Sequence, residues 1–145
     1  MMQPLSAVEL LAVWEEHWRQ PPLRQGLALL AAANPEEHPE TLLGLSMGTF
    51  NARLLTLYAW CFGATFTAVT TCTGCGELIE TTLNAANLCA SHSDPPPWLE
   101  VVDDAGVVRF RSPTLGDLIV AGEATTLDAA SQTILARCLE TPTRS

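Results

Sequence analysis

The residues best suited to chemistry sit in one short stretch, TTCTGCGELIETTL, from Thr70 to Leu83. Cys72 and Cys75 are separated by two residues and followed by a glycine, the spacing of a knuckle that presents two thiolates to a tetrahedral zinc ion. A structural zinc site needs four ligands, so the pair is half of one. Cys89 and His92 spell a second pair, but chain length opposes it. A return strand over 78–83 leads roughly 20 Å away from the knuckle, and a helix over 84–89 recovers only about 9 Å, leaving these groups about 10 Å short. Cys61 is carried off by the preceding strand, and Cys138 falls on a core-facing helical stripe. Cys61, Cys89 and Cys138 therefore read as small buried apolar residues. Three readings of Cys72 and Cys75 stay open: a zinc ion shared with another chain, a tight turn without metal, or redox chemistry. The last wants the first cysteine at a helix N-terminus, which a hairpin does not supply.

Nothing else in the chain has the spacing of a catalytic device. There is no phosphate-binding glycine loop, no Gly-x-Ser-x-Gly elbow and no His-Glu-x-x-His. His17, His38 and His92 lie among polar residues without a nucleophile or carboxylate at a telling distance. Glu15-Glu16, Glu36-Glu37 and Asp103-Asp104 read as solvated charge pairs. The expectation is a non-catalytic protein.

The elements that must position the knuckle are legible from period and punctuation. Ser6-Ala-Val-Glu9 is a capping box for a helix to about Arg19, with Ala7, Leu11, Trp14 and Trp18 as its inward stripe. Pro21-Pro22 opens a second helix ending near Asn34-Pro35, and a short helix around PETLLGL follows. Phe50, Leu54, Leu57, Tyr58 and Cys61 repeat at helical steps between Gly48 and Gly63. The period then changes to alternation over 64–71, the knuckle turn, and a return strand over 78–83. A short helix (84–91) and the stiff SDPPPW connector lead to a second hairpin, 98–102 with 107–111. Thr114 and Asp117 can cap each other, and a last helix near 127–139 places Leu127, Ala130, Ile134 and Cys138 on one face. The order predicts one α+β domain over 1–145: helical over 5–63, knuckle hairpin over 64–83, short helix and proline linker over 84–97, second hairpin and C-terminal helices over 98–140.

Composition narrows the partners. The net charge is −9, and all seven basic residues are arginine. Phosphate neutralisation needs the opposite sign, so neither nucleic acid nor anionic membrane is expected as a partner, and protein partners or a homo-oligomer are. No stretch is long and apolar enough to span a bilayer, and the N-terminal residues have acids where a secretion signal wants basic ones. Five unevenly spaced cysteines do not make a disulfide framework. A reduced, cytoplasmic protein is expected.

Several stretches in order, LAVWEEH, LALLAAANPE, LSMGTFNARLLTLYAWCFG, CTGCGELIETTL, VVRFRSPTLGDL and ILARCL, resemble one family. This is the baseplate hub assembly chaperone family of T-even-type phages, with relatives in phage-like contractile injection systems. The resemblance runs from about Leu11 to Leu139. It is sharpest in the Gly48 helix, in Cys72/Cys75 with Glu77 and Glu80, and in the segment from Arg111 to Leu118. Thr73 stands where the family tends to have proline, and Arg53 is what remains of an arginine-rich helix face. The resemblance implies an assembly chaperone or adaptor that holds a baseplate or hub subunit during assembly. A structural baseplate component, or a zinc-knuckle adaptor unrelated to tails, is the alternative. Trp60, off the main stripe of its helix, and Trp98, after the proline run, are the candidate partner-facing anchors, whereas Trp14 and Trp18 are expected in the core.

Overall fold

The computed structural model describes residues 1–88, 97–103 and 106–140. It is an α+β arrangement: α1 (Ala7–His17), α2 (Pro22–Ala33), α3 (Pro39–Leu43), α4 (Met47–Phe62), β1 (Thr65–Thr71), β2 (Leu78–Asn84), α5 (Ala85–Leu88), β3 (Leu99–Asp103), β4 (Gly106–Phe110), α6 (Leu115–Ala121) and α7 (Leu127–Cys138). The strands form two separate antiparallel hairpins.

Local chemistry sets most helix starts. Ser6 and Glu9 make the reciprocal cap at the head of α1, and Thr114 and Asp117 do the same for α6. Pro22 opens α2, where a missing N–H costs nothing, and Ser46 caps α4 one turn upstream of Phe50. Gly63 ends α4 with φ +97°, a conformation that glycine adopts without a Cβ clash and that turns the chain into β1.

The core is built where α2, α3, α4 and α6 meet. Leu5, Leu30, Ala33, Leu42, Phe50, Leu57, Leu115 and Ile119 form one buried cluster. Each full-sized side chain removed from water there contributes roughly 1.5–3 kcal/mol before the cost of ordering it. Gly26 lets α2 approach α4 closely: a Cβ at that position would lie 2.6 Å from the Phe50 ring. Asn34, buried at the end of α2, donates from Nδ2 to the Leu30 carbonyl at 2.8 Å.

The inward stripe of α1 differs from the expected one. Ala7, Leu11, Trp14 and Trp18 face outward, the tryptophans being 60% and 50% exposed. Leu10, Val13 and His17 turn toward the body instead, and His17 Nδ1 lies 3.1 Å from the Val13 carbonyl. Both sets recur at three- and four-residue steps, so helical period alone cannot choose between them. Trp14 and Trp18 cover each other, with ring centroids 6.2 Å apart, and the Arg19 guanidinium lies 4.5 Å from the Trp18 ring.

Other expectations shift by smaller amounts. Strand β2 continues through Asn84, and α5 is described over Ala85–Leu88, the rest of the expected helix lying outside the described residues. Leu127 is 82% exposed, so α7 packs through Ile134 and Cys138 without its first leucine. Glu37 is half-buried and takes the Arg53 guanidinium at 2.8 Å, so the Glu36-Glu37 pair is not a purely solvated one. Cys61 is half-buried, against an expectation of full burial.

Candidate functional site

The knuckle forms at the tip of the first hairpin. Cys72 N–H donates to the Glu77 carbonyl at 2.8 Å, and Gly76 N–H returns to the Cys72 carbonyl at 2.9 Å. Gly76 closes the turn at φ +77° with open space around it. The loop passes close to Cys72 Sγ, which would lie 3.8 Å from a Cβ at Gly74, and the amides of Cys75 and Gly74 with the Cys75 thiol act on that sulfur as hydrogen-bond donors. These hydrogen bonds, the Cys75 amide first, favour the thiolate and lower the Cys72 pKa below the ordinary thiol value. The two cysteines of the motif are thus brought together, half-buried and exposed respectively, and neither is in a disulfide.

The remaining cysteines are elsewhere. Cys61 Sγ lies 3.6 Å from the Leu5 carbonyl, and Cys138 sits beside Asp117. Burial, with the Asp117 charge, pushes the Cys138 thiol up in pKa. Cys89 and His92 lie outside the described residues. No group of three or more histidine, cysteine or acidic side chains is placed to hold a metal ion among the described residues.

Trp60 and Trp98, expected as partner-facing, are 49% and 40% exposed. Trp98 stands at the foot of β3 with the Arg109 guanidinium 5.8 Å from its ring. The hairpin beyond it carries Val101, Val102, Val107 and Val108, all exposed.

Sequence reasoning missed two features. The first is an apolar groove of about 560 Å³ between α1, α2, α4 and the start of β1. Leu10, Leu29, Leu54, Tyr58, Phe62 and Phe66 line it. Its aromatic end is ordered by ring contacts: Tyr58 meets Phe62 at 5.2 Å and Phe66 edge-on at 5.5 Å between centroids. Leu10 and Leu29 also border a smaller hollow under Trp14, Trp18 and His17, so one apolar strip runs from the tryptophan face of α1 to the base of the first hairpin. The signal was present in the sequence as an α4 carrying apolar residues on more than one face, wider than one packing partner needs.

The second is a charge cluster under the second hairpin. Asp117, 1% exposed, accepts from Arg111 through both nitrogens (2.5 and 3.1 Å), from Arg137 Nε at 2.7 Å, and from the Thr114 amide and hydroxyl at 2.9 and 3.0 Å. Burial works against its charge, but the Arg111 hydrogen bonds, followed by those of the Thr114 amide, Arg137 and the Thr114 hydroxyl, outweigh it. The carboxyl is held well below the usual carboxylate range. Its oxygens are fully occupied, which makes it a clamp joining three segments. The clamp also positions residues 138–140 along β4: Arg111 N–H donates to the Cys138 carbonyl and Glu140 N–H to the Arg109 carbonyl, each at 2.9 Å. The capping role of Asp117 was readable; its two arginine partners were not.

Among the described residues no helix is long and apolar enough to cross a membrane. Comparison with protein-family models, with curated proteins and with solved structures finds no match to this chain.

Proposed function

We propose that the protein is a non-catalytic assembly chaperone or adaptor that holds a baseplate or hub subunit while a contractile phage tail or phage-like injection particle is built. The observation that carries the binding role is the groove between α1, α2 and α4, with exposed Phe62 and Tyr58 at its rim. Apolar surface left in water costs free energy that a partner recovers at roughly 25 cal/mol per Å² buried. Aromatic anchors in such a groove contribute most of an interface's energy, and a polar rim supplies discrimination. The excess of acidic groups keeps the free protein dispersed while that surface is uncovered. The particle context comes from the sequence resemblance described above.

The test is co-expression with the baseplate and hub subunits of the native gene cluster, followed by capture. The wild type should retain one such subunit in soluble form, and Phe62→Ser, at a site 64% exposed, should lose it without loss of helical signal. Particles purified to completion should hold the protein in substoichiometric amounts. Fixed stoichiometry in the particle would mean a structural component, and capture that ignores Phe62→Ser would remove the groove from the interface.

A further inference from the structure

The first hairpin projects a two-thiol turn, and among the described residues no third histidine, cysteine or acidic group is placed to complete a metal site with it. Both cysteines sit at the tip, while the strands behind them pair residue for residue from Thr71↔Leu78 down to Thr65↔Asn84. Seven residues of β2 take the chain about 23 Å from the tip before α5 begins. At the base Ala85 is buried and its N–H donates to the Ala64 carbonyl at 2.8 Å, which pins that end to the helical body. Cys61 and Cys138 are engaged with the Leu5 carbonyl and the Asp117 clamp. Around the tip itself, Thr73, Gly74, Cys75, Gly76, Glu77 and Leu78 are exposed, so nothing described blocks approach by another molecule.

We propose that Cys72 and Cys75 are half of a tetrathiolate zinc site completed by the same two cysteines of a second copy of this chain, so that metal joins two molecules tip to tip. The turn already has the shape that such a half-site needs. The Cys72 N–H donates to the Glu77 carbonyl at 2.8 Å and the Gly76 N–H to the Cys72 carbonyl at 2.9 Å, so the turn that carries both thiols is closed by its own backbone. Gly76 at φ +77° turns the chain toward β2 directly after the second cysteine. Tetrahedral zinc with bonds near 2.3 Å wants sulfurs roughly 3.8 Å apart, and two cysteines on one closed turn can supply such a pair. A two-fold axis through the metal turns one such pair into four ligands with no other residue required. The length of the hairpin keeps the two acidic bodies apart while the tips meet, which limits their mutual repulsion. Binding displaces the thiol protons, so the contact weakens in acid. The inference is independent of the groove and of the partner proposed above.

The test uses the full chain under a phosphine reductant, loaded with zinc or with cobalt(II), with native mass spectrometry for mass and metal content. The expected result is about one zinc per two chains, a dimer that chelation returns to monomer, and the thiolate charge-transfer and tetrahedral ligand-field bands of cobalt. Cys72→Ser and Cys75→Ser should each abolish metal and dimer together. Cys75 is exposed, so its variant reports on ligation without disturbing packing. Cys89→Ser and His92→Ala should change nothing. A chain that retains no zinc, a zinc-bound monomer, metal lost on Cys89→Ser or His92→Ala, or a dimer that survives chelation would each overturn the proposal.

Discussion

Strands β1 and β2 pair seven residues on each side and expose six threonines together with Val69, Leu78, Ile79 and Glu80, whereas β3 and β4 pair five and expose four valines together with Glu100 and Arg109. Among the described residues the first hairpin meets the body at its foot, where Phe66 meets Tyr58 and Ala85 is buried. The second is fastened by buried charge: Arg111 leaves its last strand and meets Asp117, and residues 138–140 run along β4 as a short additional pairing. A polar hairpin can stand in water on its own ladder, so it needs one apolar foot. An apolar hairpin at the surface is prone to shift its register or slide toward burial, and several converging hydrogen bonds hold it in one place. The two hairpins therefore differ in what keeps them attached, and should fail under different insults.

Asp117→Asn is the largest test of that difference. It leaves Arg111 and Arg137 facing a neutral group in a buried position, and breaking a buried pair costs about 3–5 kcal/mol. Arg137 is about half exposed, which places the expectation near 3 kcal/mol by urea denaturation. Amide exchange should quicken first at Val101 and Val108, while the ladder of the first hairpin keeps its protection. Equal loss at both hairpins would mean that the clamp stabilises the whole molecule and not one appendage.

Acid should produce the same asymmetry without mutation. The Asp117 pKa is depressed in the folded state, so its contribution is complete above the unfolded value near 3.9 and declines as pH falls below it. The stability gap between wild type and Asp117→Asn should be constant from neutral pH down to about 5 and close progressively below about 4. A gap that narrows instead as pH rises would assign the clamp's stability to a group other than this carboxylate.

What the sequence disclosed follows the range of the forces involved. Ser6 with Glu9, Thr114 with Asp117, Pro22 and Gly63 act within one turn of chain, and each stood where its residue type predicted. The change of period after Gly63 gave both strands of the first hairpin to within a residue. The face of α1 did not follow, because Leu10-Val13-His17 and Leu11-Trp14-Trp18 have the same spacing and only the position of α2 distinguishes them. The clamp was half legible for the same reason: Asp117 and Thr114 are three residues apart, but Arg137 is twenty residues further along. The groove depends on which leucines remain uncovered after the helices pack, a property of the assembled body that no local pattern contains.

Gly76→Ala separates the hairpins on a smaller scale. With φ at +77° and no neighbour within reach of an added methyl, the cost is backbone strain alone, about 1 kcal/mol. Because the described residues join the first hairpin to the body at its foot, that cost should appear as faster exchange of the Cys72 and Gly76 amides, with the helical melting temperature unchanged. A matching fall in melting temperature would show that the tip is coupled to the core through the ladder.

The smallest effect belongs to the exposed valines. Val102 and Val107 pair across the second hairpin on one face and are 73% and 59% exposed. If the Asp117 clamp, and not apolar burial, fixes that hairpin, then Val102→Thr with Val107→Thr keeps the β-branched shape and changes stability by no more than about 0.5 kcal/mol. The exchange rates of Val101 and Val108 should stay as they are in the wild type, the opposite of the Asp117→Asn result. A loss of several times that size would mean the valines are covered within the folded protein, and the contrast between a polar hairpin on an apolar foot and an apolar hairpin on a charged one would collapse. An unchanged protein leaves these valines as surface that burial within the chain does not explain, adjoining Trp98 and free for contact with another molecule.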